Sequence, residues 1–309
     1  MLKRLYHYHQ KLPLYLACRA SPWLKVLAAP YLYFRCVPHQ QDAPVIVFTM
    51  GKVGSMTLWR SLLDAGVFFQ IQIHHLRRSP ARYPDVERNI RSAAEFRRRT
   101  YLPWLLRFAR VRIVTAVREP ISRLISLYLY SYAKRFGVEI ETLSLQVLLD
   151  DFPRVFENDY THALVPGCFL TTEIKAGLGI DIYQHDFSQN RGAAIIERRR
   201  VSLLIMKLEI TDDQKSAALS TWIGRKVEIN RQNTARDVGY DGIYGEFKRR
   251  VRIPYRYAEA IYQSAYMKHF YTPEERAKFW QRWEPQLDRS LVLPEWVEQQ
   301  LQTYHPSLD

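Results

Sequence analysis

Pro44-Val-Ile-Val-Phe-Thr-Met50 runs into Gly51-Lys52-Val53-Gly54-Ser55-Met56-Thr57, then into Leu58-Trp59-Arg60-Ser61-Leu62-Leu63-Asp64-Ala65, closed by Gly66. The first run is short, apolar and β-branched, the composition of a strand buried in a parallel sheet. The last reads as a helix stopped by its glycine. Strand, glycine loop and helix together aim backbone N–H groups at an anion. The two loop glycines allow close backbone approach, and Ser55 and Thr57 add hydroxyls. The loop is not a Walker A loop. That motif needs a glycine five residues before the Gly-Lys pair, where Ile46 stands, and Ser or Thr after the lysine, where Val53 stands.

Working outward, a second apolar run, from Val111 to Val117, ends in Arg118. Glu119-Pro120-Ile121-Ser122-Arg123-Leu124-Ile125-Ser126-Leu127-Tyr128 follows. Pro120 suits the first helical position, where its missing N–H costs nothing. Ser126 falls about two turns into that helix, on a face that can look back toward the strand end. A guanidinium and a hydroxyl so placed suit the grip of one phosphate.

These two segments resemble PAPS-dependent sulfotransferases (PAPS is 3′-phosphoadenosine 5′-phosphosulfate). The first is similar to the 5′-phosphosulfate loop, Lys-x-Gly-[Ser/Thr]-x-x, at Lys52, Gly54 and Ser55. The second fills every fixed position of the 3′-phosphate segment, Arg-x-Pro-x-x-Arg-x-x-Ser-x-Tyr, at Arg118, Pro120, Arg123, Ser126 and Tyr128. Many members carry a second Ser or Thr where this chain has Met56, and Thr57 is the hydroxyl at hand. The resemblance implies an α/β fold with a central, mostly parallel sheet flanked by helices, P-loop-like, with a helix-rich C-terminal half. It implies that Lys52, Val53, Gly54, Ser55, Met56 and Thr57 hold the phosphosulfate, and that Arg118 and Ser126 hold the 3′-phosphate. Lys52 would also stabilise the charge that develops on the departing PAP. The layout from residue 44 to 284 is similar to the capsular-polysaccharide-synthesis group of sulfotransferases, which implies a carbohydrate acceptor.

Transfer to a hydroxyl needs a base. Phe68-Phe69-Gln70-Ile71-Gln72-Ile73-His74-His75-Leu76 reads as the second strand, and its carboxyl end should sit beside the first loop. His75 shares strand parity with Ile71 and Ile73 and is the expected base. His74, facing the other way, and Glu119 are the alternatives. Glu119 can equally serve as a carboxylate at a helix N-terminus.

In the second half, the run from Val201 to Glu209 reads as a late buried strand ending in an acid, with a helix starting at Asp212-Asp213-Gln214. The segment from Gly179 to Tyr183 reads as a further element. Asn230-Arg231-Gln232-Asn233-Thr234 is a polar loop. Thr272-Pro273-Glu274-Glu275 is a capping box opening a helix whose Phe279, Trp280 and Trp283 suit a core better than a sugar-stacking platform.

Composition agrees with an enzyme of this kind. The 309 residues can bury a substantial core, and no linker, repeat or low-complexity stretch divides them, so one domain is expected over residues 44–309. Cys18, Cys36 and Cys168 are scattered and odd in number, which fits a reducing compartment, and no His/Cys cluster has zinc-site spacing. The expectation is a cytoplasmic protein that uses PAPS as donor and no metal. Lys and Arg number 45 against 31 acids, and eleven arginines stand between Arg77 and Arg112 against Asp85, Glu87 and Glu95. Such a balance points to anionic partners, an acidic glycan or an anionic membrane surface. No nucleic-acid-binding signature accompanies it. Residues 1–43 form a basic extension whose first 41 residues hold six Lys or Arg and no acid. Its apolar stretches are too short to span a bilayer, leaving a choice between packing on the domain and peripheral membrane contact. Two other functional classes stay open at this point: a nucleotide-dependent kinase-like enzyme, and a non-catalytic basic protein binding membrane or nucleic acid.

Overall fold

The computed structural model describes residues 43–67, 70–74, 105–107, 109–157, 164–231 and 241–304. Among them five strands form one sheet: β1 (Val45–Phe48), β2 (Gln70–Ile73), β3 (Val111–Val117), β4 (Ala193–Arg198) and β5 (Val201–Lys207), in the order β2-β1-β3-β5-β4. β1 lies parallel to both β2 and β3, and β3 lies parallel to β5. β1 is buried along its whole length and β3 and β5 nearly so, as strands with both faces covered must be.

β4 departs from that plan. It is antiparallel to β5 through a two-residue turn, with Arg198 opposite Val201 and Arg199 at φ 52°. Half of its residues are exposed and its charges lie toward the turn, as in an edge strand, and the sequence pattern alone did not announce it.

The helices begin where the chain supplies caps. α1 (Ser55–Asp64) follows Gly54 at φ 78°, and its chain turns out through Gly66 at φ 81°. α2 (Pro120–Phe136) starts on Glu119, takes Pro120 in its first turn and ends on left-handed Gly137. α3 (Leu145–Asp151) starts on Ser144, and α4 (Asp212–Ile223) on a full capping box of Thr211 with Gln214. α5 (Asp241–Arg250), α6 (Tyr255–Gln263), α7 (Ala265–Phe270), α8 (Pro273–Trp283) and α9 (Glu295–Tyr304) form the helical C-terminal half. Two short strands, β6 (Ile253–Pro254) and β7 (Leu287–Asp288), pair between them. The expected Thr272 capping box opens α8, and Phe279 and Trp283 are core residues. The segment expected at Gly179 to Tyr183 is a helix end at Gly179 followed by a single 3-10 turn, Ile182–Gln184.

One hydrophobic cluster runs from Val45 to Leu301. Phe48 of β1 meets Phe169, which opens a π-helical stretch (Phe169–Lys175), at 5.1 Å between ring centroids. At the end of β5, buried Lys207 is held by both carboxylate oxygens of Glu275 at 2.6 and 2.7 Å. Glu275 also closes the α8 capping box, so one carboxylate ties the sheet to the C-terminal half. The extension before residue 43, the arginine-rich stretch around residues 75–104, and residues 232–234 of the polar loop lie outside the described residues.

Candidate functional site

The strand order sets the site's position. From β1 the chain moves to β2 on one side, and β3 lies on the other, so the carboxyl ends of β1 and β3 flank the point where the winding reverses. Ligands of open parallel sheets bind there. The loop Gly51–Gly54 leaves β1 at that point, and Arg118 leaves β3 beside it.

The loop is pinned from the α2 side. The carbonyl of Gly51 accepts from Arg123 Nε at 3.1 Å, and the carbonyl of Lys52 accepts from the Arg118 guanidinium at 2.9 Å. Lys52 itself sits at φ 65°, a left-handed conformation that a non-glycine residue adopts at a cost and that clusters at functional sites. At Gly54 a glycine is required twice over. Its φ is 78°, and a Cβ there would stand 2.9 Å from the Leu208 side chain. Val53 is fully buried and anchors the turn, so it can offer a ligand only its backbone.

Beyond Gly54 the first intrahelical bond of α1 runs from Leu58 N–H to the Gly54 carbonyl at 3.0 Å. The three preceding N–H groups, of Ser55, Met56 and Thr57, therefore have no acceptor within their own helix. No side chain caps this end, and no acid stands in its first turn. Ser55 is buried, and its hydroxyl accepts from Gln72 of β2 at 3.0 Å; Met56 is partly exposed.

Cations face this helix end without matching acids. Among the described residues neither Lys52 nor Arg118 makes an ion pair. Lys52 Nζ lies 4.5 Å from the centre of the Tyr130 ring. Burial, and then the positive charge of Arg118, hold its ammonium below the usual lysine pKa. Arg123 is 2% exposed, and burial brings it down to about 10. Ser126 on α2 is buried, and its hydroxyl has no hydrogen-bond partner among the described residues. An anion seated here would complete what the fold leaves unbalanced.

The acids nearby are otherwise engaged. Glu119 is 1% exposed. Its Oε1 accepts from Ile121 N–H at 2.8 Å and Tyr262 O–H at 2.7 Å. Its Oε2 accepts from Ser122 N–H at 2.8 Å, Ser122 O–H at 2.5 Å and Trp283 Nε1–H at 3.3 Å. Of the two readings of Glu119, the cap is the one the structure shows. A base needs a lone pair in the site, and this carboxylate has committed its own. Glu209, two residues past β5, accepts from Glu119 N–H at 2.7 Å and Tyr271 O–H at 3.0 Å. The residue as a whole is exposed, yet its carboxyl is turned into the fold, and that burial raises its pKa. Tyr266 clamps the other side, accepting Arg118 N–H at 3.0 Å and donating to the Arg118 carbonyl at 2.9 Å. Tyr262 and Tyr266 are site-shaping residues that no local pattern marked, while Glu209 and Trp283, read from the sequence as a strand-end acid and a core aromatic, prove to shape the site as well.

Of the histidines, His74 follows β2 directly. Its Nδ1 lies 2.7 Å from the carbonyl of Thr49, at the end of β1. A carbonyl only accepts, so Nδ1 carries the proton and Nε2 is the basic nitrogen. His75, the expected base, lies outside the described residues.

A family model described as "NKWYS: Putative capsular polysaccharide synthesis protein" matches residues 143–272. The match covers under half of the chain. It takes in β5, Glu209, Tyr266 and Tyr271, and leaves out the loop, Arg118 and Ser126. Comparison with curated proteins gave no match, and neither did comparison with solved structures.

Proposed function

We propose that the chain is a sulfotransferase that moves the sulfuryl group of PAPS to a hydroxyl of a carbohydrate, in a P-loop-like sulfotransferase fold. The observation that carries the reading is the unbalanced positive site at the winding reversal: an uncapped α1 N-terminus with Lys52 and Arg118 beside it, and on α2 the buried Ser126, whose hydroxyl has no hydrogen-bond partner among the described residues. A donor with a phosphosulfate at one end and a 3′-phosphate at the other fits two anion grips on adjacent strand ends. The backbone N–H groups of the loop and Ser55, Met56 and Thr57 would hold the first, and Arg118 and Ser126 the second. The carbohydrate acceptor rests on the family match, which names polysaccharide synthesis.

PAPS, once bound, supplies an activated sulfuryl group whose leaving group is the 5′-phosphate of PAP. Lys52 places a half-buried, poorly screened positive charge beside that phosphate. His74, oriented through Nδ1 by the Thr49 carbonyl, offers Nε2 to take the acceptor's hydroxyl proton. His75, the base expected from the sequence, lies outside the described residues, and His74 is the histidine whose placement can be argued. Arg118 and Arg123 hold the loop carbonyls and so fix the grip before the donor arrives.

A kinase-like reading would need a strand-end acid to carry Mg²⁺. The two acids at these strand ends, Glu119 and Glu209, have each spent their oxygens on protein donors. Thermal stabilisation by PAP, against ADP and against ATP with Mg²⁺, tests the choice. Selective stabilisation by PAP that is lost in Arg118→Ala is the expected result. A larger shift with ATP and Mg²⁺, or none with PAP, would overturn the reading.

A further inference from the structure

The other edge of the sheet carries a charge of the same sign with a different setting. β3 and β5 run parallel and begin side by side: Val111 N–H donates to the Arg200 carbonyl at 2.8 Å, and Val111 stands opposite Val201. The residues leading into them are Arg110 on one strand and Arg199 and Arg200 on the other, with Arg198 closing β4 across the turn. Arg110, Arg198, Arg199 and Arg200 are all exposed. Arg107, Arg112 and Arg200 make contacts within the chain and add to the field. The acid of this hairpin, Glu197, accepts from the Ser202 hydroxyl at 2.5 Å. All of this lies a full strand length from Lys52 and Arg118.

What precedes residue 43 reaches the sheet at this same edge, since Arg112 N–H donates to the Pro44 carbonyl at 2.9 Å. Its first 41 residues hold six basic residues and no acid, together with Trp23, Phe34, five tyrosines and eight leucines. That charge cannot neutralise the edge arginines. An acidic polymer in water would call for the charge alone. An anionic bilayer surface answers the charge and also takes up Trp, Tyr and Leu at its headgroup boundary. No helix among the described residues is long and apolar enough to cross a membrane.

We propose that the amino-terminal edge of the sheet, through Arg110, Arg198 and Arg199, docks the protein on an anionic phospholipid surface, with the anion site at the carboxyl edge facing away. The proposal does not depend on what that site binds.

Cosedimentation of the full chain with phosphatidylcholine vesicles, with and without phosphatidylserine, tests it. Binding is expected only with phosphatidylserine and is expected to weaken steeply with salt. Arg110→Gln/Arg198→Gln/Arg199→Asn removes three charges from exposed positions, with Asn suited to the left-handed turn residue. It should weaken vesicle binding about a hundredfold with the melting temperature unchanged. Removing three charges from α5, which contributes nothing to the sheet (Lys248→Gln/Arg249→Gln/Arg250→Gln), should change it far less. Saturating PAP should leave vesicle affinity unchanged, which separates edge docking from capture of a headgroup phosphate by the anion site. Should the triple substitution unfold the hairpin, Arg110→Gln alone still predicts a several-fold loss. Equal loss in both triple variants, competition by PAP, or no binding to phosphatidylserine would overturn the proposal. So would binding to dextran sulfate but not to vesicles.

Discussion

Lys52 illustrates how a single residue can be set against its own comfort. Its backbone is left-handed, its ammonium is half-buried, and a second cation stands beside it. A lysine whose folded pKa lies below its unfolded one weakens the fold at pH values below both, where each state keeps the proton; the penalty fades as pH rises through the depressed value toward 10.5. Lys52→Ala is therefore expected to melt at or above the wild-type temperature while turnover falls by about 10²- to 10³-fold. A sulfuryl-transfer assay beside a melting curve checks both; a fall in stability with activity kept would place Lys52 in the scaffold. Glu119 should behave in the opposite way. Glu119→Ala strips five donors of their acceptor, three of them on Tyr262, Ser122 and Trp283 side chains. The expected cost is about 3–5 kcal/mol, read as a melting temperature lower by roughly 10 °C. The sequence could not choose between cap and base for this residue, because two of its deciding partners lie 143 and 164 positions away. Lys52, Gly54 and Arg118 were legible because each belongs to a short segment whose geometry is local.

At the scale of elements, β1 with α1 and β3 with α2 were readable for the same reason: an apolar run, a turn residue and a cap are contiguous. β4 was not. The apolar run of Ala193 to Arg198 is only Ala-Ala-Ile-Ile, half of it alanine and followed by two charges, and it is a strand because β5 offers it a ladder. The ties of α6, α7 and α8 to the ends of β3 and β5 were also hidden, since they run through single side chains, Tyr262, Tyr266, Tyr271 and Glu275, to residues distant in sequence. Glu209 is the hinge of that packing, joining the end of β5 to the start of α2 and to Tyr271. Burial raises its pKa, so below about pH 4.5 both states keep the proton and its contribution to stability is fully present. As pH rises past 4.5 the unfolded chain releases that proton first, and stability falls until the folded carboxyl also ionises. Glu209→Gln cannot ionise and should remove this part of the decline. Denaturant unfolding across pH 4 to pH 7 measures the two slopes, and identical slopes would show that Glu209 titrates alike folded and unfolded.

For the whole molecule, the sheet's polarity organises everything else. Its carboxyl edge gathers the loop, Arg118 and α2 into an anion site, while its amino edge gathers arginines. The C-terminal helices close the carboxyl edge from one side: Tyr266 clamps Arg118, Tyr262 and Trp283 fill Glu119, and Tyr257 donates to the Leu164 carbonyl at 2.8 Å. Tyr257, Tyr266, Tyr271, Phe270 and Phe247 are wholly buried, so these helices form the core's other wall. A chain ending at residue 231 would strip Lys207 of Glu275 and Glu119 of Tyr262 and Trp283. Each uncompensated charge of that kind costs several kcal/mol, against a total stability of about 5–15 kcal/mol. The truncated chain is expected to show no cooperative melting transition, with or without PAP, although it retains every residue of the two anion grips. A cooperative melt that PAP shifts upward would instead show that the sheet and its loops fold and bind unaided, and that the aromatic helices only cover a site already built.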